Sequence, residues 1–223
     1  MRFLSALIAV GVLITALASC DLGIKHKTYA PTEADYFEFV LTGDDTYAVA
    51  AKEGVTLPAE LNLPTEYDGV AVTAVVPEGF KNRSEIESLT VPENYVSVGN
   101  GAFMACDALK TVALYGVENL GYSAFDHCTA LRKVTFSDNL KTVGGFAFAY
   151  TDIYVVRFIT LETLGEYAFS HCEVVKNVYL PSSFKLENMG ENAFVDCVNA
   201  TVHHGNSNYV VEDGKLVLSG SAN

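Results

Sequence analysis

Positive charge is scarce in this chain: 14 lysines and arginines stand against 27 acidic residues, giving a formal charge of −13. A surface of that sign repels phosphate backbones and anionic headgroups, which excludes nucleic acid and purely electrostatic membrane attachment. After the first twenty residues no apolar run is long enough to span a bilayer. No phosphate-cradling glycine loop followed by lysine is present, and no serine or cysteine sits in a recognisable nucleophile elbow. The five cysteines lack zinc-site spacing, and the carboxylates are scattered through turn-like segments. No catalytic residue, metal, cofactor or small-molecule substrate is therefore expected. Charged residues make up only 18% of the chain and hydrophobic ones 50%, which excludes general disorder and supplies one sizeable core.

What is present begins with a targeting signal. Arg2 precedes an apolar run from Phe3 to Leu17, too short and wrongly flanked for a membrane span but suited to secretion. The run ends in Leu17-Ala18-Ser19-Cys20, which resembles the lipobox of bacterial lipoproteins. That resemblance implies a signal peptide over 1–19, lipidation of Cys20, and a tether over 20–35. Acyl chains contribute about 0.8 kcal/mol per buried methylene, enough together for firm membrane attachment.

The remainder is organised by a repeat. Gly-x-x-Ala-Phe-x-x-Cys occurs at Gly99–Cys106 (Ala102, Phe103), Gly121–Cys128 (Ala124, Phe125), Gly165–Cys172 (Ala168, Phe169) and Gly190–Cys197 (Ala193, Phe194). A fifth copy, Gly144-x-x-Ala147-Phe148, carries Thr151 in the cysteine place, and a worn first copy has Phe80 and Arg83. The Phe positions 80, 103, 125, 148, 169 and 194 set a period of 21 to 25 residues. Three and six residues after the cysteine come apolar residues such as Leu109 and Val112, then another at Leu114. That alternation is a short strand with one buried face. The Thr151 copy is one residue shorter there, giving Ile153 and Val156.

One coil cannot bury its own apolar residues, whereas a stack can. The expected fold is a β-rich solenoid of about six coils, with a parallel sheet on its concave face and short helical turns on the return path. The motif glycine is expected to relieve a strained backbone conformation. Hairpin signals at both ends (Thr42–Asp45 between 36–40 and 46–50; Glu212-Asp213-Gly214 between 209–211 and 215–218) predict β-hairpin caps. The domain reading is a cap over 36–60, a solenoid over 61–206, and a hairpin and tail over 207–223.

This repeat closely resembles the BspA-like, or Treponema pallidum type, leucine-rich repeats, whose unit carries Ala-Phe-x-x-Cys-x-x-Leu and a strand often ending in proline. Val91-Pro92 and Leu180-Pro181 match the latter, and Leu63–Thr73 resembles the family's entry segment. The resemblance implies a surface-displayed, non-catalytic binding module that adheres to host or matrix proteins, cells or glycans. It would lie outside the cytoplasm, anchored to a bacterial membrane through lipid. The alternative is a structural cell-envelope lipoprotein whose partner is another envelope protein.

Candidate residues follow from phase. Strand residues between the buried positions face outward, and from Ser88 to Tyr179 they include no carboxylate. Tyr115, Arg157, Ile159 and Tyr179 are the candidate ligand-binding residues, since Tyr and Arg are enriched in interface hot spots. The alternative is that such sheets merely favour small strand-formers there. Cys106, Cys128, Cys172 and Cys197 share one repeat position and read as small buried hydrophobes, with Cys106–Cys128 and Cys172–Cys197 disulfides the alternative. His127, His171 and the His203-His204 pair read as solvated surface.

Overall fold

The computed structural model describes residues 30–219; the signal peptide, Cys20, the first part of the tether and residues 220–223 lie outside that range. The chain forms a β-solenoid of about seven turns, mostly parallel sheet. Its main face carries one strand per turn: Glu60–Asn62, Ser88–Val91, Thr111–Leu114, Lys133–Thr135, Val155–Arg157, Asn177–Leu180 and Thr201–His204. The first of these precedes the earliest motif and pairs in parallel with Ser88–Thr90, so the stack has one rung more than the six phrases suggest. Period-two alternation decides the faces. Leu89, Val112, Val156, Val178 and Val202 point inward and are buried.

A second ladder of two-residue strands, Ser97–Val98, Asn119–Leu120, Thr142–Val143 and Thr163–Leu164, runs in parallel register along another side. Between the two sheets lies the core. The six motif phenylalanines form a continuous stack inside it, with ring centroids 5.0 to 5.6 Å apart. Offset stacking at that spacing suits the ring quadrupole and fills the interior without voids.

The Ala-Phe return path is not helical, contrary to the expectation from sequence. Among the described residues the only helical pieces are two 3₁₀ turns, Ala34–Tyr36 and Leu186–Asn188. In each coil the residues two before and two after the phenylalanine have φ between +53° and +63°, and only Gly101 among them is glycine. The left-handed steps let alternate amides reach the next coil, as in Phe103 N–H to the Ala124 carbonyl and Ala105 N–H to Asp126. The intervening amides close local turns, as in Met104 to Gly101 and Cys106 to Phe103. Each left-handed residue costs about 1 kcal/mol, which this third hydrogen-bonded ladder offsets. A helical turn would bond only within its own coil.

The motif glycines likewise act differently from expectation. None of Gly99, Gly121, Gly144, Gly165 and Gly190 has a positive φ. They lie directly on one another instead. A Cβ on Gly165 would sit 2.3 Å from the Gly145 nitrogen, and one on Gly190 2.2 Å from the Glu166 nitrogen. Glycine is needed there for close approach of backbones.

The main sheet is also not continuous. Lys133–Thr135 belongs to one sheet and Val155–Arg157 to another, and the two strands do not pair. The cause is the short fourth coil, which passes from Thr151 to Ile153 in two residues where its neighbours use three. The second ladder and the return-path bonds (Phe125 N–H to Ala147, for example) run on unbroken beneath this seam. The coils therefore stay stacked.

Both ends carry hairpins. Phe37–Leu41 and Tyr47–Ala51 pair antiparallel and extend the second sheet, and Phe37 packs edge-on against Phe80 at the end of the aromatic stack. Ser207–Glu212 and Lys215–Leu218 extend the main sheet through Asp213 and Gly214, both left-handed, as a tight primed turn requires. The worn first motif is also explained. Arg83, in the cysteine position, donates to the Val55 and Lys52 carbonyls and so ties down the loop after the first hairpin.

Replacing Gly165 by Ala is expected to destabilise the fold by about 2–3 kcal/mol, since neither backbone can yield without breaking a ladder. Gly43→Ala, where nothing lies within 4 Å, should leave the melting temperature unchanged. Thermal melts followed by circular dichroism compare the two.

Candidate functional site

Outward-facing side chains on the main face align in rows because paired strands are in register. One row continues through Arg157, Tyr179 and His203, which face one another across adjacent strands. The Arg157 guanidinium carbon lies 4.1 Å from the Tyr179 ring centroid. On the other side of that ring, His203 stacks at 4.5 Å with the planes 12° apart. Both faces of Tyr179 are thus covered. The imidazole is held in turn by Asn208 Oδ1 at 2.8 Å from Nδ1 and by Asn177 Oδ1 at 2.9 Å from Nε2. With Arg157 over one face and the anchored His203 on the other, Tyr179 is preorganised, so little of its side-chain entropy remains to be lost on binding.

Beside this row lies the seam. Val134 and Phe136 are half-buried there, although the corresponding Val112 and Leu114 are buried. Tyr154, Val155 and Ile159 on the next rung are exposed, Ile159 at 53%. The missing residue in the fourth coil thus uncovers apolar surface in the middle of the face rather than at an end.

The electrostatics of the face differ from those of the whole chain. Between the Ser88 and Thr201 rungs the outward strand residues include Lys133 and Arg157 and no carboxylate. Lys176 reaches over the Tyr154 ring at 5.4 Å. At the strand entries Lys110 pairs with Glu87 at 2.8 Å and Arg132 with Asp152 at 3.6 Å, both exposed. Such surface pairs contribute little to stability. Carboxylates appear only towards the two ends of the face, at Glu60 on the first strand and at Glu212 on the terminal hairpin, the latter opposite Lys215.

Of the residues singled out from sequence, the structure brings Arg157 and Tyr179 into contact, and Ile159 is exposed two residues past Arg157. Tyr115 is not part of this group; it follows the Thr111–Leu114 strand, on the other side of the seam. Cys20 lies outside the described residues. Sequence reasoning missed His203, because one residue fewer separates it from Cys197 than separates Tyr179 from Cys172, and only the strand register aligns the two. It missed the two asparagines as its partners as well, since Asn208 belongs to a strand outside the repeat. His127 and His171 sandwich Tyr150, at 4.3 and 4.4 Å, on an exposed corner, where Asp126 and Asp196 hold their Nδ1 atoms.

The motif cysteines are free and buried. Each thiol donates to the phenylalanine carbonyl of the coil before it: Cys106 to Phe80, Cys128 to Phe103, Cys172 to Phe148 and Cys197 to Phe169, at 2.9 to 3.2 Å. Thr151 is accepted at this position because its hydroxyl also donates to a phenylalanine carbonyl, that of Phe148, at 2.8 Å. Burial, with the neighbouring Cys106 thiol, pushes the Cys128 thiol well above its usual range. The hydrogen bond to Cys172, together with burial, raises Cys197. These thiols are structural.

The BspA type leucine rich repeat model matches residues 73–201 in six copies. Three solved structures are similar over most of the chain. A Treponema pallidum leucine-rich-repeat protein is 24% identical with a TM-score of 0.51, covering 78% of this chain and 71% of that one. A Bacteroides ovatus leucine-rich-repeat protein is 20% identical with a TM-score of 0.58, covering 77% and 52%. A leucine rich cell surface protein from Faecalibacterium prausnitzii is 18% identical with a TM-score of 0.61, covering 89% and 60%. The chain thus spans little more than half the length of the last two. No curated protein matches the sequence.

Buried thiols held by carbonyls should resist iodoacetamide in the native protein and react fully in denaturant, which peptide mass spectrometry of Cys106, Cys128, Cys172 and Cys197 would read. Because the folded pKa values of Cys128 and Cys197 lie above the unfolded ones, their stabilising contribution is complete below about pH 8.5. It should decline as pH rises beyond that, visible as a falling denaturation midpoint.

Proposed function

The chain belongs to the BspA-type leucine-rich-repeat family, and from that premise we propose that it is a non-catalytic binding module on the outside of a bacterial cell. It adheres through the main sheet face to protein or glycan ligands on host or neighbouring cells. Lipid on Cys20 joins it to a membrane. The observation that carries this reading is the Arg157–Tyr179–His203 stack beside exposed Val155 and Ile159. An aromatic and an arginine held rigid next to uncovered apolar surface have the composition of an interface hot spot. Repeat proteins of this family are protein-binding modules in general, and the extended face of a stack of coils suits a long ligand.

The outward location is supported by the lipobox-like Leu17-Ala18-Ser19-Cys20 and by the similar cell surface protein of Faecalibacterium prausnitzii. Among the described residues no helix is long and apolar enough to cross a membrane.

Two experiments test the reading. The full-length chain is screened against immobilised fibronectin, fibrinogen, laminin, collagen and a glycan array, beside an Arg157→Ala/Tyr179→Ala variant. A ligand bound by the native chain and lost in the variant is the expected result. A ligand retained by the variant would move the site off this face. No ligand at all, with crosslinking in cells to an envelope neighbour, would favour an envelope component instead. In the second experiment, cells are fed radiolabelled palmitate. Label is expected on the native chain and should be absent from Cys20→Ala, which should also leave the membrane fraction; an unlabelled native chain would sink the anchor.

A further inference from the structure

On the reading that the main face is the binding face, we infer that its centre, from the Lys133 rung to the Thr201 rung, takes an extended segment of a partner protein carrying acidic and aliphatic side chains. The first argument is hydrogen-bond polarity. The side-chain amides of Asn177 and Asn208 are both engaged by His203, one at each ring nitrogen. Arg157 and Tyr179 add guanidinium and hydroxyl donors at the exposed edge of the stack. Lys133 has no ion partner among the described residues, and Lys176 leans only on Tyr154. The centre therefore presents donors without competing carboxylates, and a complementary ligand must accept. Lys133 and Arg157 stand on the two rungs that flank the seam and Lys176 just before the next strand, so several carboxylates match them better than a single one.

The second argument separates a peptide from an anionic glycan. Sugars are held largely by stacking on open aromatic faces, and here both faces of Tyr179 are occupied, while Lys176 lies over one face of Tyr154. What is open instead is aliphatic: Val155 and Ile159 exposed, with Val134 and Phe136 half-buried at the seam. Aliphatic side chains can desolvate that surface, and a sulfated or uronate chain has none.

The third argument is exclusion. The chain's other surfaces hold the great majority of its 27 acidic residues and repel an acidic segment. At physiological salt the Debye length is about 8 Å, so the local cations rather than the net charge of the whole molecule govern contact.

The probe is a fluorescent peptide alternating Glu or Asp with Leu or Ile, of about eight residues, long enough when extended to cross five or six rungs. Binding to the full-length chain is followed by fluorescence anisotropy. The expected result is saturable binding that weakens with salt, falls about tenfold in Lys133→Gln/Arg157→Gln and measurably in Lys133→Gln alone, and is unchanged in Lys185→Gln, which matches the single variant's charge change away from the face. A peptide with Lys in place of the acids should not bind. Where Arg157→Gln lowers the melting temperature, Lys133→Gln alone, which removes no contact, carries the test. No binding of the acidic peptide, an equal loss in Lys185→Gln, or preferred binding of heparin would each overturn the inference. A matrix or glycan ligand lost in Arg157→Ala/Tyr179→Ala without peptide binding would overturn only this assignment of ligand class. Failure of both assays would remove the binding face as well.

Discussion

How closely one coil can lie on the next along the Gly-x-x-Ala-Phe return path governs the rest of this structure. At the stacked glycines the backbones approach to where no Cβ fits. That approach sets the spacing at which the six phenylalanines stack and at which alternate amides reach the neighbouring coil. The left-handed residues flanking each phenylalanine are strained alone and tolerable only because each opens a hydrogen bond to the next turn. The cysteine place belongs to the same scheme. The thiols reach a phenylalanine carbonyl of the preceding coil, whereas Thr151 in the same place donates to Phe148 of its own coil, so the position asks for a small buried donor.

Because two ladders hold the stack together, the third can be interrupted. The fourth coil loses one residue before its strand, and the main sheet opens between Lys133–Thr135 and Val155–Arg157 while the glycine and phenylalanine ladders continue. The interruption leaves the inward-phased Val134 and Phe136 only half-buried, across the seam from the outward-facing Val155 and Ile159 and the Arg157–Tyr179–His203 row. A regular repeat would have left a flat, small-residue face there, as on the Thr90 and Ala113 rungs. Deviation from periodicity, rather than periodicity, marks the proposed binding site.

Much of this was legible in the chain itself. The Phe positions and the apolar pair after each cysteine predict the coil and its buried residues, since a period of 21 to 25 residues admits few ways to bury a phenylalanine in every turn. The outward row was legible by phase, and so were Arg157 and Tyr179 as members of it. The helical return path and the strained glycine were misjudged for one reason. Both expectations were local, and the conformation there is set by hydrogen bonds and contacts to a coil more than twenty residues away. The shortened fourth coil was visible in sequence, but its consequence was not, because an offset of one residue acquires meaning only against a neighbouring strand.

The sequence by itself determined the repeat, its buried face, the acidity of the chain and the sparing of the sheet face from carboxylates, all of which depend on residue type and spacing alone. Tertiary structure decided which outward residues meet. Tyr115 and Tyr179 both face outward, yet a seam separates their sheets, and His203 joins Tyr179 through strand register with Asn208 supplied by the terminal hairpin. Contacts between coils depend on register and on where a ladder breaks, and those are settled by packing against neighbours distant in the chain.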